Sequence, residues 1–597
     1  MPGAPFSSLF DGLAESVDRR IGWDRLPLPV ALVTLIGLRD RLREENLYDT
    51  GRGPLDRPDV SEHPSYLTAR TLDGTFNDLN DPLMGALGSR FGRNVPLRYT
   101  YQQPTDALLD PNPRLISREL LTREEFQPAT TLNLLAGAWI QFEVHDWFSH
   151  GKNEDENPWQ IQLESDDPWP HHPMTIRRTR PDPSADPNQP ATFVTDDTHW
   201  WDASQIYGRD PEFAQALRSG ENGKLRIGHD GLPPPDLETH MDPTGVAANF
   251  WVGLALLHSL FMREHNAICD HLHEKYADLS DQQLYDKARL VNAALMAKIH
   301  TVDWTPAIIA HPTTVLALRT NWWGLEGERL DKRFGRLTSS DVVRGIPGSP
   351  TDHHGVPYSL TEEFVAVYRM HPLIPDDYSF RSLKNNAVLQ ERTFPEIGAL
   401  HVRERLDELS MADLLYSFGT SHPGAITLHN YPRSLQQLPR PGEQAPNDVI
   451  DLAATDIMRT RERGVPRYNE FRRLFHLNPV ESFEQMTDNP EWAEELKSIY
   501  GDVERVDHMI GCYAEPKPKG FGFSDTAFRV FILMASRRLK SDRFFTRDYR
   551  PEVYTQAGLD WVEDNSMRSV LLRHFPELEP AIRHVANPFA PWNVAGA

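Results

Sequence analysis

The feature that most constrains this chain is a set of long stretches whose apolar residues recur at helical spacing, separated by proline-rich segments. "TLNLLAGAWIQFEVHDWFSH" starts at Thr131, "GVAANFWVGLALLHSLFMREHNAICDHLHEKY" at Gly245 and "DQQLYDKARLVNAALMAKIHTVDW" at Asp281. "TEEFVAVYRMH" from Thr361 and "TAFRVFILMASRRLKSDRFF" from Thr526 follow the same pattern. A 3.6-residue period sustained this long is incompatible with strands, which alternate. The 49 prolines gather between these stretches. "DDPWPHHPMTIRRTRPDPSADPNQPAT" (Asp166 to Thr192) and "GIPGSPTDHHGVP" (Gly345 to Pro357) read as irregular surface segments. Only "ATFVT" at Ala191 and "KLRI" at Lys224 read as strands. No internal repeat or flexible linker divides the chain. The expected fold is mainly α: one large domain over residues 1–597, with long proline-rich loops and few short strands.

The net charge of -24 argues against a nucleic-acid partner, because a phosphate backbone attracts the opposite sign. It also weakens long-range attraction to anionic membranes. The two cysteines, Cys269 and Cys512, form no metal-binding spacing, and so low a count suits a reducing compartment. No basic start leads into an apolar stretch after Met1, so a cytoplasmic location is expected. "LPLPVALVTLIGL" (Leu26 to Leu38) is shorter than the roughly 20 apolar residues needed to span a bilayer. Residues 26–50 read as buried helix, or as helices that form a channel base or touch a membrane from one side.

Three fragments could carry chemistry. In "WIQFEVHDW", Gln141 and His145 lie at i, i+4 and share a helical face, with Asp146 about 100° further round the axis. Most of the 24 histidines must be structural or solvated, so His145 alone decides nothing. In "DDTHWWDASQIYG", Thr198, Trp200, Asp202 and Ser204 alternate; Thr and Ser hydroxyls, a carboxylate and backbone carbonyls are the hard oxygen donors Ca²⁺ takes. Asp146 could add a carboxylate; the plain alternative is a polar strand face. In "AVYRMHPLIPD", Tyr368 and His371 stand at i, i+3 before Pro372. They read either as large residues at a buried helix end or as a redox-active phenol beside a haem ligand.

Together, and in this order, the three fragments resemble the peroxidase–cyclooxygenase superfamily of haem proteins. "FMREHN" and the "HNYP" that contains Asn430 add to the resemblance. Within it the chain looks most like the plant-type fatty acid α-dioxygenases, through "NAALMAKIHTVDWTPAII", "RTNWWG", "RERGVPRYNEFRR" and "FGFSDTAFRVFILMASRRLKSDRFFT". The resemblance covers nearly the whole chain. It implies His371 as proximal ligand of a haem b and Asn430 as that histidine's partner. It implies His145, assisted by Gln141, on the distal side, and Tyr368 as the radical former. Asp146, Thr198, Trp200 (through its carbonyl), Asp202 and Ser204 are implied as Ca²⁺ ligands. His300, Thr305 and Arg538 are implied to hold the substrate carboxylate, with Arg537 and Arg543 close enough in sequence to compete for the last role. A protonated His300 would contribute most to that clamp.

The implied reaction is insertion of O₂ at the α carbon of a long-chain fatty acid, giving an (R)-2-hydroperoxide. A peroxide is the implied activator and a monomer the implied state. Two departures stand out. Val144 occupies the place where mammalian peroxidases of the superfamily esterify haem, so haem is expected to be non-covalent there. The proline-rich loops also differ from those of plant members. The alternatives left open are a haem peroxidase, a mid-chain fatty acid dioxygenase, a non-catalytic binding protein, and an enzyme with weak peripheral membrane contact.

Overall fold

Helix forms wherever the sequence repeats at helical spacing, as the computed structural model shows. The structure describes residues 5–56, 64–228, 231–235, 250–325, 341–399, 401–439 and 448–595. Eight helices bear on function: α1 (Pro5–Ile21), α2 (Leu28–Glu45), α3 (Leu134–Trp147), α4 (Val252–Lys275), α5 (Asp281–Ile299), α6 (Pro312–Trp323), α7 (Glu362–Val367) and α8 (Asp525–Ser541). Starts are written in the sequence. Ser280 and Ser524 cap α5 and α8 by accepting from backbone N–H groups three residues on, and Thr361 caps α7 likewise.

Strands are few and not the ones expected. β1 (Glu154–Ile161) pairs antiparallel with β2 (Met174–Arg178), with Trp159 opposite Ile176. β3 (Asp377–Arg381) pairs with β4 (Val388–Thr393), and β5 (Leu438–Pro439) with β6 (Val449–Ile450). "ATFVT" makes only a single bridge, Val194 to Arg90, and "KLRI" only Leu225 to Arg218. β2 instead arises inside the segment expected to be irregular. Met174 and Ile176 alternate inward, and Arg178 lies over the Trp159 ring at 3.6 Å. Cross-strand packing of a few side chains decides such short strands, and flanking prolines hide them in the sequence.

α3 runs through the core. Leu134, Leu135, Trp139, Phe142 and Trp147 are all buried. One stripe differs: Gln141, Val144, His145 and Phe148 are only half-buried, at i, i+3, i+4 and i+7. Gly137, near the start of α3, packs against the Leu373 carbonyl, which a Cβ would meet at 3.3 Å. At the other end, Trp147 meets Tyr368 edge-on at 5.5 Å. So α3 is closed against the 368–373 segment at both ends. Its open stripe lies between, opposite His371.

The helix carrying Tyr368 ends earlier than the proline suggested. α7 stops at Val367, and Tyr368 is its C-terminal boundary residue (φ -88°, ψ 13°). His371–Leu373 form a separate 3₁₀ turn with Pro372 near its start, a position that tolerates a missing N–H. Tyr368 and His371 therefore do not share one α-helical face.

α2 is two-sided. Ala31, Leu35 and Leu38 face inward, while Leu28, Val30 and Val33 are exposed. No helix among the described residues is long and apolar enough to cross a membrane.

Candidate active site

Tyr368, His300, Thr305 and Arg538 line one small cavity, with Trp201 and Phe364. They come from four segments spread over more than two hundred residues. Arg538 is the most telling. It is 2% exposed, its guanidinium lies 3.9 Å from the Trp147 ring centre and 4.4 Å from that of Trp201, and its Nε and Nη2 are buried with no partner. A buried cation with two unused donors is costly unless an anion completes it. Its sequence neighbours are otherwise engaged. Arg537 donates to the Val356 and Pro357 carbonyls at 2.8 and 3.0 Å. Arg543 donates to Phe76 and Leu67 carbonyls at 3.2 and 3.1 Å and pairs with Asp548. Of the three arginines, only Arg538 lines this cavity.

His300 and Thr305 owe their alignment to a π turn, His300–Trp304, that interrupts the helical run after α5. Hydrogen bonding at i→i+5 stacks residues five apart, which an α-helix would splay. The Thr305 hydroxyl donates to the His300 carbonyl at 2.7 Å, so it reaches a carboxylate only by rotating. His300 stacks on Trp304 at 4.6 Å and receives the Trp139 indole N–H on Nδ1 at 3.2 Å. Burial first, then Arg538, hold its pKa well below the ordinary value. With no carboxylate beside it, the ring is held neutral.

Tyr368 is 7% exposed, packed by Phe364 at 4.5 Å and by the Trp147 edge. Burial pushes its phenol far above the usual range, so it holds its proton. Leu318, Asn321, Phe531 and Ala535 line both this cavity and a second, larger one. The second is closed by Leu32, Leu35 and Ile36 of α2. A polar chamber opening into a larger apolar one fits an amphiphile with an acidic head.

His371 lies on the 368–373 segment, which packs along α3 through Leu373 and Tyr368. His371 has a side chain 27% exposed, with Nδ1 2.7 Å from Asp456 Oδ2 and no protein partner recorded for Nε2. Asn430 was expected to partner His371. Its amide instead accepts from Arg123 Nε at 2.8 Å and donates to the Gln127 and Ala425 carbonyls, holding the chain beyond His371 in place. Asp456 takes the expected position. It also accepts from Tyr431 at 3.0 Å and pairs with Arg369 at 3.1 Å. Asp456 sits mid-way along the helix Leu452–Glu462, which also ends on an acid, so local pattern did not single it out. Burial alone would raise the Asp456 pKa, but His371 and Arg369 hold it below the usual value.

Three more arginines were not anticipated. Arg369, Arg459 and Arg463 lie close enough to repel, and burial together with that repulsion lowers Arg463 to about 9. Arg369 Nε is buried without a partner. An imidazole on the segment packed along α3, a group of arginines of which Arg459 also pairs with Glu462 at 2.7 Å, and a half-buried stripe fit haem. Val144 in that stripe has no carboxyl to esterify. His145 has no protein hydrogen bond among those resolved, and burial lowers its pKa to about 4, so it is neutral and able to accept a proton. Gln141 Oε1 accepts from the Trp251 indole at 2.7 Å, which fixes its amide.

The loop after residue 195 meets α3 as expected. Asp146 Oδ1 accepts from the Ser204 hydroxyl at 2.9 Å, and Thr198 donates to Asp202 at 3.1 Å. Asp146 Oδ2 is buried with no partner. Burial, then Asp202, then Glu143 raise the Asp146 pKa well above normal. The nearest cation recorded is Arg289, 3.7 Å from Asp202. Trp200 is anchored by its indole N–H, which donates to the Gly74 and Met84 carbonyls at 3.1 Å each. Two buried carboxylates beside the Thr198 and Ser204 hydroxyls, one of them with an orphaned oxygen, suit a hard divalent cation.

The animal haem peroxidase family profile matches residues 69–587. An α-dioxygenase of Oryza sativa subsp. japonica is 37% identical over 98% of this chain and 96% of its own length. Alpha-dioxygenase 2 of Arabidopsis thaliana is 38% identical over 98% of this chain and 93% of its own. The crystal structure of an Oryza sativa fatty acid α-dioxygenase superposes with a TM-score of 0.92 at 36% identity, covering 99% of this chain and 98% of that one. A tyrosine-to-phenylalanine variant of the Oryza sativa enzyme, solved with palmitic acid, matches equally well, with a TM-score of 0.92.

Proposed function

The chain belongs to the animal haem peroxidase family, and from that premise we propose that it is a fatty acid α-dioxygenase, converting long-chain acids to (R)-2-hydroperoxides. One observation carries the reading: a buried guanidinium with two unpartnered nitrogens, that of Arg538, shares a small cavity with a buried phenol, Tyr368. A carboxylate on Arg538 brings the adjacent carbon, not mid-chain carbons, to Tyr368. A plain peroxidase needs neither group, and a mid-chain dioxygenase needs them far apart.

In this reading His371 holds haem b, with Asp456 on its other ring nitrogen and Arg369, Arg459 and Arg463 on the propionates. Haem bound there supplies the one-electron oxidising equivalent that an activating peroxide delivers. His145, neutral and oriented beside Gln141, takes and returns the peroxide proton. Tyr368 loses an electron and a proton together. The resulting phenoxyl takes the pro-R hydrogen from C2 and becomes phenol again. O₂ adds to the C2 radical. The peroxyl then recovers the hydrogen from Tyr368, which yields the hydroperoxide and restores the phenoxyl. Arg538, with N–H or O–H donation from His300 and Thr305, keeps C2 in register throughout. The tail occupies the apolar chamber that ends at α2, whose exposed Leu28, Val30 and Val33 suit weak contact with a lipid surface.

The reading is tested with a saturated substrate. The haem protein should take up oxygen with palmitate and yield the 2-hydroperoxide or its one-carbon-shorter aldehyde. Turnover of polyunsaturated acids alone would sink it.

We also infer that Ca²⁺ sits among Asp146, Thr198, Asp202, Ser204 and the Trp200 carbonyl, tying the loop to the helix that carries His145. Stripping calcium with a chelator should lower the thermal midpoint by about 5 °C or more and loosen haem, and added Ca²⁺ should restore both. An unchanged midpoint in a protein shown to be calcium-free would remove this site.

A further inference from the structure

The carboxylate clamp holds two histidine-linked groups in series. His300 lines the cavity, and behind it the Trp139 indole N–H points at its Nδ1 at 3.2 Å. Trp139 is wholly buried and His300 is 3% exposed. Trp304 stacks on the ring at 4.6 Å with an interplanar angle of 22°, while Trp147 and Trp201 abut it edge-on at 5.3 and 5.2 Å. The ring can therefore neither flip nor tilt without breaking a packed aromatic box. An indole nitrogen only donates, so the Nδ1 it faces must carry a lone pair. The hydrogen of the neutral ring is then on Nε2.

We propose that Trp139 is a positioning residue that fixes His300 as a neutral Nε2–H donor, so that Arg538 is the clamp's only cation and carboxylate binding is independent of histidine protonation. This rests on the reading of the cavity as a carboxylate site. Protonating Nδ1 would set two N–H groups against each other inside a box with no room for water. The charged and titratable groups facing His300 are few. Arg538 of α8 repels a second positive charge and Tyr368 stays protonated. Glu143 of α3, behind Trp201, accepts that indole's N–H at 2.8 Å and is pushed by burial to about 8. None of the three favours an imidazolium around neutral pH. One consequence is functional: affinity should not drift as pH falls through the histidine range, whereas a clamp with an imidazolium would bind tighter in acid.

The test is the dissociation constant of dodecanoate for the haem-loaded protein, by calorimetry, between about pH 6.0 and 7.5, a window that spans the ordinary histidine pKa of ~6.5. The wild type should vary less than about twofold across it, where a free histidine cation would impose up to roughly eightfold. Trp139→Phe frees Nδ1 to carry the ring hydrogen and should weaken binding several-fold at every pH in the window, because burial and Arg538 still keep the ring neutral. Because this variant also alters core packing, His300→Gln, which offers a neutral N–H near the Nε2 position, gives a second arm. It should stay within about tenfold of wild type, and His300→Ala should fall well below it. Acid-strengthened binding in the wild type, unchanged affinity in a folded Trp139→Phe, or His300→Gln no better than His300→Ala would each overturn the proposal. Failure of the wild type to bind dodecanoate at any pH would instead overturn the carboxylate-site reading itself.

Discussion

Replacing Tyr368 by phenylalanine should leave a haem protein that still turns over peroxide and no longer takes up oxygen with a fatty acid, a loss of roughly 10³-fold or more. The change removes one oxygen atom. The packing that holds the ring, Phe364 at 4.5 Å and the Trp147 edge at 5.5 Å, does not involve the hydroxyl, so the fold and the cavity should survive. The phenol is also kept protonated by its surroundings, which suits a group that gives up an electron and a proton together and not one that acts as a base. Normal haem content, unchanged palmitate affinity and lost oxygen uptake form the expected pattern. Residual uptake above about a tenth of wild type would mean that another group starts the reaction.

Arg538→Leu should weaken palmitate binding by about 100-fold, the usual scale for removing one partner of a buried charge pair, with a smaller effect on peroxide turnover. The substrate-free protein should be no less stable and could gain. In the absence of an acid, Arg538 is a buried charge with two unpartnered donors, and removing such a charge relieves desolvation. Arg538→Lys keeps the charge but loses the planar fork that stacks between Trp147 and Trp201, so it should fall between the two. A raised thermal midpoint with lost binding is the signature of a residue kept for its ligand. Lowered stability with intact binding would mark Arg538 as structural.

Much of this was legible in the sequence because helical periodicity is strong and the motifs are local. The helices carrying His145 and Arg538 follow directly from apolar spacing, and the second also from its Ser524 start. His300, Thr305, Tyr368 and Arg538 were named from a family resemblance, and the fold brings all four to one cavity. What was not legible depends on pairs distant in sequence. Asp456, not Asn430, reaches His371, because a helix eighty-odd residues on swings a single carboxylate into place while Arg123 claims the asparagine. Trp139 and His300 are 161 residues apart, so no local pattern announces their bond or the neutral ring it implies. The break between Tyr368 and the turn at His371 was missed because the proline marks a later boundary than the one the helix uses. The strands failed for a related reason: "ATFVT" has the composition of a strand but makes only one isolated bridge, to Arg90, whereas "MTIRR" has Trp159 to pack on.

The central claim is that Tyr368 acts on the carbon next to a carboxylate held by Arg538. Palmitate carrying deuterium only at the pro-R position of C2 tests it most directly within the oxygen-uptake assay. Mass spectrometry of the product should find the 2-hydroperoxide without carbon-bound deuterium, formed more slowly than from unlabelled acid. A 2-oxygenated product that keeps its deuterium, or oxygen inserted elsewhere on the chain, would contradict it.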